Sequence, residues 1–237
     1  MKQLSIFLFG TSICISACTK VNGDGPIVTE TRTVGEFVQL HLDMKGTLYY
    51  EKTDQPSVEI HAQRNILNVI ELHMNDQREL TIGLRDNTVV YSYEPVDIIV
   101  RGPQIEGFHL SGSGHIKALQ PISTQRLWLE TEGSGDIQIG ALTATELATR
   151  IEGSGNIEVV SGAVNKAIHH IEGSGDIDAS GMRAKEVYTN TSGSGNMRVW
   201  AEDYLEAKIS GSGDVYYKGT PKVKVNSSGS GKISPID

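Results

Sequence analysis

The chain has 237 residues, with 29 acidic against 21 Lys and Arg residues, a net charge of −8, and two cysteines, Cys14 and Cys18. An acidic balance of this kind argues against nucleic acid and against an anionic membrane surface as partners, since both carry the same sign. Both cysteines fall within the first 18 residues, so the body of the protein has no disulfide and must be held by a core.

The N-terminus predicts export. Lys2 supplies a positive charge, "LSIFLFGTSICI" is an apolar run too short to span a bilayer, and "ISAC" closes it with small residues. The apolar–Ser–Ala–Cys ending is similar to the bacterial lipobox, which implies cleavage before Cys18 and lipid attachment to it. Residues 1–17 then read as a lipoprotein signal peptide and 18–34 as the lipidated cysteine with its tether, polar over "TKVNGDGP". The expected location is the cell envelope, at the outer membrane, with the lipid anchor as the sole membrane contact.

Residues 35–110 predict a β-rich N-terminal section. "FVQLHLDM" alternates with Val38, Leu40, Leu42 and Met44 on one side, and "SVEIHA", "IELHM", "ELTIGL" and "VDIIVRGP" follow between turn signals. The stretch "NILNVIEL" predicts a helical turn. The section leads into, and covers, what comes next.

From residue 111 to 237 the chain repeats. "GSG" recurs with its first glycine at 112, 133, 153, 173, 193, 211 and 229, at intervals of 21, 20, 20, 20, 18 and 18. A period near twenty predicts a solenoid. After each GSG and one polar residue stands an apolar position, filled by Ile116, Ile137, Ile157, Ile177, Met197, Val215 and Ile233. A second apolar column precedes the motif by six residues, from Leu127 and Leu147 to Val223. Each unit therefore predicts two short strands with little room for a helix, and stacked units predict a single-stranded right-handed parallel β-helix. GSG would sit at the bend between the strands, with its serines in a column along the stack.

The lipobox, the "VDIIVRGPQIEGFHLSGSG" transition and the serial GSG-(D/N)-I units resemble the bacterial family described as "putative auto-transporter adhesin, head GIN domain". The resemblance covers about residues 35–235. It implies an exported β-helical protein, with adhesion as the proposed activity, and it supplies no catalytic motif to carry over.

Calcium is one competing expectation. The residue after GSG runs His115, Asp136, Asn156, Asp176, Asn196, Asp214, Lys232, and Glu132, Glu152 and Glu172 occupy one position in three successive units. Glu132, Asp136, Glu152, Glu172 and Asp176 are thus weak candidates for a cation strip. Alternation of Asp with Asn already relieves carboxylate repulsion between rungs, so the reading here is no metal and no cofactor. A carbohydrate-active β-helix enzyme is the other competitor. Its cleft would need long loops, for which units of 18 to 21 residues leave no space, so no catalytic residues are assigned.

Histidines 41, 61 and 73 lack ligand spacing, and His169 falls on the inward parity of its strand. Trp128 lies between the inward Leu127 and Leu129 and so is expected to face outward, as a surface that can contact a sugar or a protein. The last unit, "GSGKISPID", ends half a rung short of a cap, which invites end-to-end self-association. Binding, adhesion or structural support without catalysis is the function that remains, with an unknown protein or carbohydrate as ligand.

Overall fold

A computed structural model describes residues 19–236. The export signal and the lipidation expected at Cys18 lie outside the described residues. Nine strands make the entry: β1 (Thr19–Val21), β2 (Ile27–Thr33), β3 (Gln39–Asp43), β4 (Thr47–Lys52), β5 (Ser57–Gln63), β6 (Ile70–Met74), β7 (Glu79–Leu84), β8 (Thr88–Val90) and β9 (Asp97–Gly102). One helical turn, α1 (Arg64–Leu67), falls between β5 and β6, overlapping the start of the stretch 65–72 where it was expected.

The repeat follows as β10 (Gly107–Gly112), β11 (His115–Ala118), β12 (Ile122–Gly133), β13 (Asp136–Ile139), β14 (Leu142–Gly153), β15 (Ile157–Val159) and β16 (Gly162–Gly173). It ends with β17 (Ile177–Thr191), β18 (Met197–Ile209), β19 (Val215–Lys218), β20 (Lys222–Ser227) and β21 (Ile233–Pro235). Every pairing among β10 to β21 is parallel and joins one unit to the next, which makes the chain a parallel β-helix. Leu127, Leu147, Ala167, Val187 and Leu205 stack in register and are buried. Ile116, Ile137, Ile157, Ile177, Met197 and Val215 form the facing column, also buried. Each fully buried Leu or Ile of this kind stabilises by about 1.5–3 kcal/mol.

The unit has three walls rather than the two strands expected. Each long strand first pairs through a short segment, Ile122–Thr124 against Leu142–Ala144 and onward, then skips one residue before pairing resumes. The skipped residues are Gln125, Thr145, Asn165 and Lys185. Gln125 and Arg126 are both exposed, so the in–out alternation resets there and the chain turns a corner. Ile122, Leu142, Met182 and Ala184 bury against the core from this third wall. The shift from 20 to 18 residues occurs on the same wall. Ala179 opposes Val199, yet Arg183 opposes Trp200, so Ser180 to Met182 have no counterpart in the next rung.

GSG forms another corner. Its serines all lie on the exposed surface, and from Ser134 to Ser230 their amide N–H groups donate to the rung below; Ser154 and Gly155, for example, both donate to Gly133 O at 2.7 and 3.0 Å. The first glycine of this unit, Gly153, has φ +133, a conformation that L side chains rarely adopt. The last glycine of the motif faces inward. A Cβ on Gly175 would overlap the carbonyl oxygen of Gly155.

The helix begins earlier than its GSG units. β3 runs parallel between β7 and β10, and β4 runs parallel between β9 and β11. The order of rungs in space is therefore 79–102, then 39–52, then 107–118. Antiparallel strands close this end: β6 covers β7, while β5 covers β9 and β2 covers β5. Within the segment read as a tether, β1 pairs with β8 and β2 with β5, leaving 22–26 between them.

Candidate binding surface

The long strands present their outward residues as columns, each set by the parallel register. Trp128, Ala148, Ile168, Tyr188, Glu206 and Lys224 form one column. Beside it runs a column of alternating sign: Arg126, Glu146, Lys166, Glu186, Tyr204 and Lys222. Trp128 faces outward at 41% exposure, and its indole N–H donates to Glu130 Oε2 at 3.2 Å, which fixes the ring. Lys166 Nζ lies 5.2 Å from the centre of the Tyr188 ring, and Tyr188 and Tyr204 sit 5.9 Å apart, tilted. Ile168, Tyr188, Arg150, His170, Glu206 and Lys208 line a recess of about 480 Å³. An apolar floor with charged walls suits a ligand that is part ring and part polar group.

The acidic strip carries its own cation. Glu132, Glu152 and Glu172 are in register as expected, but Arg150 reaches into them, bonded to Glu152 and within 3.5 Å of both Glu130 and Glu172. Glu172 also accepts from His170 Nε2 at 2.5 Å, and this bond, aided by Arg150, holds its carboxyl below the usual carboxylate range. Of the five candidate ligands, Glu152 and Glu172 thus share a guanidinium, Glu132 lies 3.8 Å from His109 Nε2, and Asp136 and Asp176 belong to a separate ladder.

The residues after GSG form a second ladder. Asn156 Nδ2 and its backbone N–H both donate to Asp136 Oδ1, at 2.8 and 3.0 Å. Asn156 Oδ1 in turn accepts the backbone N–H of Asp176 at 3.0 Å, and Asp176 Oδ1 accepts from Asn196 at 2.6 Å. The run continues through Asp214 to Lys232. No two carboxylates are therefore neighbours in this ladder: Asp176 stands between Asn156 and Asn196, Asp214 between Asn196 and Lys232, and His115 Nδ1 lies 3.3 Å from Asp136 at the first rung.

Inside the coil, Thr149, His169 and Thr189 stack in register, with Thr149 Oγ1 and His169 Nδ1 2.9 Å apart. His169 is completely buried, and burial pushes its pKa down to about 4, so it is neutral. This is a core histidine, on the inward parity expected of it.

One cluster had no signature in the sequence read strand by strand. His41 and His109 are 68 positions apart, yet β3 and β10 place them opposite one another, with rings stacked at 4.0 Å and 12°. Donor atoms of His41, His109 and Glu79 all lie within 4.8 Å of each other. The one usable signal was internal likeness: "HLDMKG" at 41–46 is a degenerate copy of "HLSGSG" at 109–114, and the two segments are adjacent rungs.

The family model for "putative auto-transporter adhesin, head GIN domain" matches residues 36–221. A structure described as a putative adhesin from Bacteroides fragilis superimposes with a TM-score of 0.86 at 25% identity, covering 91% of this chain and all of that one. Two structures from Parabacteroides distasonis, a putative lipid binding protein and a putative adhesin, superimpose with TM-scores of 0.76 and 0.74. They are 21% and 24% identical, and each match covers 92% of this chain and all of the other. No curated protein sequence matches the chain.

Proposed function

Because the chain belongs to the family described as "putative auto-transporter adhesin, head GIN domain", we propose that it is an exported envelope protein that binds a ligand on the outer face of its β-helix, without catalysing a reaction. The lipid on Cys18 would hold the body at the outer membrane. The observation that carries this reading is the Trp128–Ile168–Tyr188 column beside a recess of about 480 Å³ on a rigid parallel sheet. A scaffold of this kind presents its contact residues already ordered, so little entropy is lost when a ligand docks. Short connections support the absence of catalysis: two residues separate β12 from β13 and two separate β13 from β14, which leaves no loop to close over the face. A carbohydrate or a protein epitope rich in polar groups is the ligand class that matches aromatic rings set among alternating charges.

The test is binding of the purified protein to an array of glycans and immobilised surface proteins, with Trp128→Ala and Tyr188→Ala compared against wild type. Loss of an aromatic contact at the centre of an interface costs about 2 kcal/mol or more, or roughly thirtyfold in affinity. Unchanged binding by both variants, with folding intact, would move the contact site elsewhere.

A further inference from the structure

We propose that His41, His109 and Glu79 form a binding site for a zinc-class divalent cation where the entry rungs meet the first GSG rung. The three side chains project from β3, β10 and β7, which lie side by side in one parallel sheet. Their donor atoms are mutually within 4.8 Å. Tetrahedral zinc with bonds of 2.0–2.2 Å places its ligand atoms about 3.4 Å apart. Small rotations of the two imidazoles and the carboxylate close that difference, with the backbone held by the sheet.

Other observations agree. His109 Nε2 is buried and has no hydrogen-bond partner, so the cluster holds an imidazole nitrogen whose polar capacity is unmet. Glu132 Oε1 lies 3.8 Å from that atom and is within reach as a fourth ligand, with water as the alternative. His41 Nε2 is 2.9 Å from Ser111 Oγ, and Glu79 accepts from Asn75 Nδ2 at 2.8 Å. Those are the contacts the ion would replace or share. Two imidazoles and a carboxylate favour zinc over calcium or magnesium, which take oxygen ligands. Bound there, the ion would tie three strands that are distant in sequence, so it acts as a clip between the entry rungs and the repeat.

Zinc titration by calorimetry, followed by thermal unfolding with and without zinc, tests this directly. The wild type should bind one zinc ion and melt higher with it, with no equal shift from calcium. Loss of a second-shell partner costs about 10–100-fold in metal affinity, so removing a ligand by His109→Gln or Glu79→Gln should cost at least that. His73→Gln changes an exposed histidine beside Glu71 and should leave binding unchanged. Glu79 is partly exposed, so Glu79→Gln keeps the test open if His109→Gln fails to fold. The proposal is overturned if the wild type takes up no zinc, if the ligand variants bind as well as wild type, or if calcium stabilises as much as zinc.

Discussion

Replacing Asn156 by Asp puts carboxylates in three successive rungs, at 136, 156 and 176. Neighbouring rungs are ~4.8 Å apart, where two unit charges at an effective dielectric of 20 repel by about 3.5 kcal/mol. Asp136 is 43% exposed, so solvent screening reduces each repulsion to about 1 kcal/mol. Two such repulsions, plus the lost donation from Asn156 Nδ2 to Asp136, give a destabilisation of about 2–3 kcal/mol for Asn156→Asp. Urea unfolding at low salt measures this without adding ions. At 1 M NaCl the Debye length falls to about 3 Å, and at least half of the deficit should disappear. Asn156→Ala is the control: it removes the acceptor for the Asp176 amide, adds no charge, and should lose stability equally at both salts. If Asn156→Asp is as stable as wild type at low salt, or its deficit is the same at 1 M, the ladder does not work by separating charges.

The interior makes an acid-side prediction. His169 has a folded pKa of about 4 against 6.5 unfolded, so its neutral burial contributes in full above pH 6.5, and that contribution is lost as pH falls from 6.5 towards 4. The loss is about 3 kcal/mol, and His169→Leu should flatten this part of the stability profile measured by urea unfolding at a series of pH values. Gly175→Ala drives a methyl into the Gly155 carbonyl and should destabilise by about 1–3 kcal/mol or prevent folding, read by thermal melting. Arg150→Gln leaves the Glu132–Glu152–Glu172 strip without its guanidinium; its melting temperature should become calcium-sensitive while that of the wild type does not.

Much of the repeat could be read from the sequence because its signal is summed over seven copies. Leu127 alone says little, but Leu127, Leu147, Ala167, Val187 and Leu205 at fixed distance from GSG locate a buried column. The third wall leaves only a weak trace in the sequence because it offers few apolar residues per unit, and Gly162 interrupts the series of Ile122, Leu142 and Met182. Parity placed Trp128 outward and His169 inward, since alternation needs only local sequence. The neutralising role of Arg150 and the meeting of His41 with His109 depend on register between rungs. The 20-residue period does set Arg150 one unit from Glu130 and His170, but its reach to Glu152 and Glu172 is a matter of side-chain geometry, and the meeting of the two histidines requires an entry rung with no GSG to be aligned with the first that has one.

The order of rungs bears on how the protein is assembled during export. Residues 39–52 leave the translocation machinery before 79–102, although the later segment lies beneath the earlier one. The first-emerging strands must therefore wait with an open underside until about fifty more residues have arrived. Once that foundation closes, each further unit needs only the edge left by the one before it, and growth proceeds in a single direction at low loop-closure cost. Gain or loss of a whole 20-residue unit within 133–192 changes the height of the column without disturbing its base. The number of rungs can then drift over evolutionary time, and with it the distance at which the distal end stands from the entry strands.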